Sequence, residues 1–328
     1  MNQSNSTEIG LEKKQSLKPG PESSLYSNQK YSDNYSVIQG KQSLILSPLF
    51  EVWNTLKIDL MERQDTPRYP IGLTELDDIL WGLHKKELVT IGARTSHGKT
   101  AFAIHLTKEL ADKGNRIIYF SLEMSKESLL ERLFCNICEV NNIELRQGRA
   151  KGEVLAHENI FLNWVKSSKL LIEDRYGYNF NNIVSICDTI KPDFIFVDYI
   201  QMISTIGYRS KVDAIEEYVR KIKELAVLNN FGVILISQIN RHGAVDPGMQ
   251  YLKWAGVLEE HSDSVLTLKW AWNTSKSKYE YFVNIEKQRH GEVKNVQLEF
   301  MPQYSKFRDS EPDGRPGQPV KSAGLYQD

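Results

Sequence analysis

The sequence predicts an α/β fold, a mostly parallel central sheet flanked by helices with antiparallel strands added at its C-terminal side. Three observations carry that expectation. Short β-rich runs recur at 87–91, 116–121, 169–173, 193–198, 232–237, 264–269, 281–286 and 296–300. Helical patterns at 100–113, 125–140 and 212–229 separate the earlier runs, as crossovers between parallel strands require. The run Ala93-Arg94-Thr95-Ser96-His97-Gly98-Lys99-Thr100 stands between the strand-like Leu88-Val89-Thr90-Ile91 and the helical Ala101-Phe102-Ala103-Ile104-His105-Leu106.

A chain of 328 residues with 41% hydrophobic side chains can bury a full core. Its 41 basic and 42 acidic residues leave almost no net charge. That excludes nucleic-acid binding by bulk charge, though not by a local basic stripe. Three cysteines, Cys135, Cys138 and Cys187, make no disulfide framework and fit a reducing compartment. With no apolar stretch of membrane-spanning length and no hydrophobic N-terminal signal, the expected location is the cytoplasm, away from membranes.

Residues 1–45 are rich in Ser, Asn, Gln, Lys and Gly, a composition that cannot offset its ordering entropy and predicts a disordered tail. From Leu46 the pattern changes. An apolar stripe of Leu49, Phe50, Val52, Trp53, Leu56, Ile58 and Leu60 predicts a helix within 46–66, set apart by Asp65-Thr66-Pro67-Arg68-Tyr69-Pro70. A short tethered helix must bury that stripe on its own domain or on a neighbour's. The main domain is expected over 67–309, and the Pro/Gly-rich stretch 310–328 reads as a second disordered tail.

A strand, a tight loop and a helix whose first turn carries Gly98-Lys99-Thr100 are the parts of a nucleotide-phosphate cradle. Backbone N–H groups from Ala93 to Ala101 wrap the phosphates, and the helix N-terminus adds its dipole. Lys99 reaches the β- and γ-phosphates and Thr100 holds Mg²⁺, so ATP and Mg²⁺ are the expected ligands. Ala93 replaces the usual first glycine and is small enough for the loop to close.

Ligands of open α/β sheets gather at the C-terminal ends of strands, which singles out three polar ends. Glu123 follows the strand 116–121; it either polarises the attacking water or caps the next helix beside Ser125 and Glu127. Asp198 closes the apolar Asp193-Phe194-Ile195-Phe196-Val197 run and is placed to hold Mg²⁺. Gln238 closes the strand 232–237 and is either a γ-phosphate sensor or an ordinary loop amide. Lys287 and Arg289, in Glu286-Lys287-Gln288-Arg289-His290-Gly291, project to one side of a late hairpin. Their target lies within the chain, on a neighbour's nucleotide as an arginine finger, or in solvent. Cys135 and Cys138 sit in an apolar helical pattern with no second pair at zinc spacing, and read as small core residues.

Six stretches, taken in order, resemble the C-terminal motor domain of the DnaB-type replicative helicases, a branch of the RecA-like ATPases. They are Ile71-Gly72-Leu73-Thr74-Glu75-Leu76-Asp77, the phosphate loop, Phe120-Ser121-Leu122-Glu123-Met124-Ser125, Val197-Asp198-Tyr199-Ile200-Gln201, Ser237-Gln238-Ile239-Asn240-Arg241 and Lys287-Gln288-Arg289-His290-Gly291. The similarity runs roughly over residues 46–308. It implies a RecA-like P-loop ATPase core in which Lys99 and Thr100 bind phosphate and Mg²⁺, Glu123 activates water and Asp198 completes the metal site. It further implies that Lys287 and Arg289 act in trans within a homo-oligomeric ring, usually a hexamer, with the helix 46–63 docked on the adjacent subunit. Single-stranded DNA would lie in the channel, held by 203–213 with Arg209 and Lys211 and by 241–254 with Arg241 and Lys253. The ring would unwind duplex by moving 5′→3′, with a helicase loader as a further candidate partner.

Three departures stand against that family. A disordered tail takes the place of the N-terminal helical collar, which removes the ground for a primase contact. It also leaves open a non-unwinding ATPase that remodels a protein or nucleic-acid complex. Where Asp-Leu-Arg is usual, Tyr251-Leu252-Lys253-Trp254-Ala255-Gly256 keeps the charge but loses bidentate phosphate geometry, and Trp254 either stacks on bases or is buried. His97 stands where a bulky apolar residue is common, and its side chain is expected to point away from the phosphates.

Overall fold

The structure, a computed structural model, describes residues 49–62, 69–175, 180–200, 203, 210–239, 255–274 and 277–310. The chain divides into two units, Met1–Arg63 and Gln64–Asp328. In the first lies α1 (Leu49–Glu62), the expected helix, with Leu49, Phe50 and Trp53 exposed by 86%, 68% and 53%.

The second unit runs α2 (Thr74–Leu80), β1 (Leu88–Ala93), α3 (Lys99–Asp112), β2 (Arg116–Ser121), α4 (Lys126–Cys138), α5 (Asn142–Arg146), α6 (Lys151–Ser167) and β3 (Lys169–Glu173). It continues with α7 (Phe180–Ile190), β4 (Phe194–Asp198), α8 (Lys211–Asn229), β5 (Gly232–Gln238), α9 (Ala255–His261), β6 (Ser264–Asn273), β7 (Lys278–Gln288), β8 (Asn295–Met301) and β9 (Lys306–Asp309). The strands form one sheet in the order β3-β2-β4-β5-β1-β6-β7-β8-β9. Pairing is parallel from β3 to β6 and antiparallel from β6 to β9.

The central strands β1, β4 and β5 are near-continuous Leu, Val, Ile and Phe runs, buried along their length as strands covered on both faces must be. On one face Phe102, Leu106 and Leu110 of α3 pack with Leu129 and Leu133 of α4. The other is covered by Ile183 and Cys187 of α7, Ile215, Val219 and Ile222 of α8, and Leu258 of α9. The three- and four-residue spacing along α8 is what turns one helical stripe to the sheet. Ser210 starts that helix by accepting the Asp213 N–H at 3.1 Å.

Several elements were not foreseen from sequence, each for a local reason. The helix α6 buries none of its residues fully, and its stripe of Val154, Phe161 and Trp164 packs against the core only half-buried. The helices α2, α5 and α9 span only five to seven residues. The strands β6 and β7 run past their apolar centres because Trp270 pairs with Tyr281 and Trp272 with Tyr279 across the ladder. Cys135 and Cys138 are buried on α4, and burial pushes the Cys135 thiol up to about 11. Among the described residues no helix is long and apolar enough to cross a membrane.

Candidate functional site

The strand β1 ends at the wholly buried Ala93, whose carbonyl accepts the Ile239 N–H at 3.0 Å. Ala93 is absent from the left-handed positions, which explains why alanine serves there; the turn falls instead on Ser96 (φ 66°) and Gly98 (φ 84°). No side chain caps α3 at Gly98, which leaves its first-turn N–H groups open to an anion. A Cβ at Gly98 would lie 3.0 Å from Phe300 Cε1 and 3.1 Å from Tyr281 Oη. The Tyr281 hydroxyl donates to the His97 carbonyl at 2.7 Å. Around Tyr281 stand the rings of Trp270, Phe300 and Phe307, with centroids 4.9, 5.1 and 5.3 Å away. The antiparallel extension thus buttresses the phosphate loop. His97 is half-buried; burial, then Arg94 and Lys99, lower its pKa, and among the described residues its buried Nδ1 has no hydrogen-bond partner.

Register brings the polar strand ends level with this loop. Gln238 pairs with Ala93, and its Nε2 donates to Thr95 Oγ1 at 2.7 Å, so it touches the phosphate loop directly. Asp198 pairs with Ser121 and is buried; its Oδ2 accepts the Tyr119 hydroxyl at 2.8 Å and the Thr100 hydroxyl at 3.1 Å. Among the described residues its Oδ1 is buried without a partner, and burial raises the pKa against the lowering effect of those two bonds and of Lys99. An unsatisfied carboxylate oxygen beside a hydroxyl is the oxygen donor set a hard divalent cation takes, so Thr100 and Asp198 fit Mg²⁺. Glu123 is exposed two residues beyond β2, yet partial desolvation raises its carboxyl pKa, opposed by Lys99 and reinforced by Asp198. The α4 N-cap belongs to Ser125, which accepts the Ser128 N–H at 3.3 Å, so Glu123 stands outside that helix.

Lys287 and Arg289 lie at the opposite end of the strands from the phosphate loop. Gln288 pairs with Ser264, and Ser264 pairs with Val89 near the start of β1. From Val89 to Ala93 the strand rises about 13 Å, which puts the basic pair out of reach of its own phosphate loop. Within the chain, Lys287 Nζ donates to the carbonyls of Glu259 and Ser262 at the end of α9. The Arg289 guanidinium pairs with Asp263 Oδ1 at 2.8 Å.

Of the expected DNA contacts, Arg209, Arg241 and Lys253, and Trp254 with them, lie outside the described residues; Lys211 opens α8, its side chain likewise outside the description. Sequence reasoning missed Tyr119, Tyr281, Arg132 and Asp263. Tyr119 lies two residues before Ser121 on β2, hence on the same face as the Asp198 register, but the run Arg116-Ile117-Ile118-Tyr119-Phe120-Ser121 looks like plain strand. Arg132 interrupts the apolar stripe of α4; burial lowers its pKa, and its charge acts on Tyr119 and Asp198.

Residues 69–309 match the DnaB-like helicase C terminal domain family. The chain is 32% identical over 255 residues to the replicative DNA helicase DnaB of Geobacillus stearothermophilus, covering 73% of this chain and 56% of that protein. To the replicative DNA helicase DnaC of Bacillus subtilis it is 31% identical over 258 residues, covering 74% and 57%. It therefore spans little more than half the length of these relatives. Among solved structures, the ATPase domain of G40P superposes with a TM-score of 0.75 at 27% identity, over 81% of this chain and 100% of that one. A DnaB-like replicative helicase, described with its interactions with primase, follows at a TM-score of 0.71 and 25% identity, over 87% and 75%. The matched stretch takes in the whole nine-stranded sheet together with the phosphate loop and Asp198, and the chain belongs to the DnaB-like helicase C-terminal domain family.

Proposed function

We propose that this chain is the motor of a ring-forming DNA helicase that hydrolyses ATP, translocates on single-stranded DNA and unwinds duplex. One observation carries the reading. The nucleotide half-site and the Lys287–Arg289 pair sit at opposite strand ends of one sheet, which supports a site completed by two chains packed head to tail.

In that site the backbone N–H groups from Ala93 to Ala101 and the Lys99 ammonium bind the phosphates, while Thr100 and Asp198 hold Mg²⁺. Bound there, Mg²⁺ neutralises charge on the β- and γ-phosphates. Glu123 orients the attacking water and takes its proton; its raised pKa moves it toward the range a general base needs. Gln238 reads the γ-phosphate and passes its loss to the loop through Thr95. Arg289, with Lys287 beside it, reaches the neighbour's γ-phosphate as an arginine finger. The exposed stripe of α1 docks on that neighbour, and the ring is a hexamer. The segments 203–213 and 241–254, with Arg209, Lys211, Arg241 and Lys253, track the DNA backbone in the 5′→3′ sense. A loader is a fitting partner.

Strand displacement on a forked duplex with ATP and Mg²⁺ tests the proposal. Separation by the wild type and not by Lys99→Ala is expected, and exchanging the tailed strand reads the polarity. ATP hydrolysis without separation, with and without a loader, would move the reading to a remodelling ATPase.

A further inference from the structure

The cluster around Asp263 is unused by the nucleotide chemistry, and it holds the residue that chemistry needs from a neighbour. We propose that Asp263 is a positioning residue that parks the Arg289 guanidinium within its own chain and releases it to the adjacent subunit's nucleotide. The inference rests on the ring reading above.

Asp263 lies between α9 and β6, with its side chain 4% exposed. Its Oδ2 accepts the Leu88 N–H at 2.8 Å and the Lys223 ammonium, and its Oδ1 accepts Arg289 Nη1 at 2.8 Å. Lys223 is itself fixed by a second bond to the Lys86 carbonyl at 2.7 Å. This division of labour makes the arginine separable. A buried carboxylate stripped of its cation is strongly destabilising, but Asp263 without Arg289 still faces Lys223 and the Leu88 N–H. Arg289 is half-exposed, and an ion pair open to water on one side is weak. The carboxylate's charge is shared with Lys223, so a triphosphate, with several unshared charges and bidentate oxygens, outcompetes it for the guanidinium.

The pivot is fixed as well. The Arg289 N–H bonds to the Asp263 carbonyl at 2.9 Å, and the Ser264 hydroxyl donates to Gln288 Oε1 one residue away. Release then requires rotation of the Arg289 side chain, with the backbone of the hairpin held in place. Parked and engaged arginine form a two-state partition whose balance Asp263 and Lys223 set in opposite directions.

Steady-state ATP hydrolysis by the full chain, saturated with an oligo-dT strand, tests this through kcat/KM. Asp263→Asn keeps an acceptor for the Leu88 N–H but removes the competing charge, so kcat/KM rises about threefold. Lys223→Met leaves Arg289 as the one cation paired with Asp263 among the described residues and deepens parking; kcat/KM falls about fivefold, and Lys223→Arg restores it. A merely structural cluster lowers kcat/KM in both. A decrease in a folded Asp263→Asn protein, or no decrease in Lys223→Met, overturns the proposal; if Asp263→Asn does not fold, the Lys223 pair decides alone. Arg289→Ala with full turnover sinks the ring reading itself, whereas an inactive Arg289→Ala beside a slowed Asp263→Asn sinks only the parking.

Discussion

A methyl group at Gly98 is the smallest change that should disable the phosphate loop. The backbone there has φ 84°, a conformation that costs a residue with a Cβ about 1–2 kcal/mol. The added Cβ would also press on Phe300 at 3.0 Å and on the Tyr281 hydroxyl at 3.1 Å. Phe300 cannot retreat, because its ring stacks on Phe307 at 4.3 Å. Displacing Tyr281 instead breaks its bond to the His97 carbonyl, about 1 kcal/mol more. The sum, about 2–3 kcal/mol, is relieved when the loop leaves its phosphate-binding shape, so nucleotide affinity takes the loss rather than the global fold. Gly98→Ala should weaken binding of a fluorescent ATP analogue by on the order of 100-fold, at about 1.4 kcal/mol per tenfold. Its thermal midpoint should stay within a few degrees of the wild type. A Kd within threefold of the wild type would refute the argument.

Three further outcomes are expected. Tyr119→Phe keeps the ring stack on Phe196 at 5.4 Å but strips a donor from the buried Asp198; urea unfolding at neutral pH should show a loss of about 1.5–3 kcal/mol, and an unchanged midpoint would contradict the Asp198 geometry. Glu123→Gln should bind the ATP analogue like the wild type yet lose turnover by about 100-fold or more; retained turnover would pass the base role to another group. His105 is buried against the Ile71 carbonyl, and desolvation lowers its pKa from 6.5 to about 4. Protonation therefore favours the unfolded chain: stability is full above pH 6.5 and falls by about 3 kcal/mol as the pH drops toward 4. Urea midpoints at pH 7 and pH 4.5 should diverge in the wild type and less so in His105→Gln; equal divergence in both would assign the acid sensitivity elsewhere.

The parallel half of the fold was legible because buried strands advertise themselves. Phe194 to Asp198 and Gly232 to Gln238 are apolar runs with one polar end, and that end is where ligands gather. The same logic found Asp198 and Gln238, which the register places beside the phosphate loop. It could not find Tyr119 or Tyr281, because a buried phenol reads as core until the acceptor of its hydroxyl is known. Lys287 and Arg289 were legible as a pair, but their in-chain partners were not. The carbonyls of Glu259 and Ser262 carry no sequence signal, and Asp263 is 26 residues away from Arg289 along the chain.

The sheet order also explains why one hairpin reaches both the phosphate loop and the opposite ends of the parallel strands. The strand β6 runs parallel to β1, and β7 returns antiparallel beside it. At the phosphate-loop end Tyr281 of β7 pairs with Trp270 and holds the His97 carbonyl; at the far end Lys287 pairs with Val265 beside Asp263. Six residues of extended chain separate Tyr281 from Lys287, about 20 Å. The register with β8 covers only Tyr281 to Asn284 and the β6 ladder shifts between Val265 and Leu266, so the two ends of β7 are held by separate sets of contacts, Tyr281 by the His97 carbonyl and Lys287 by the carbonyls of Glu259 and Ser262.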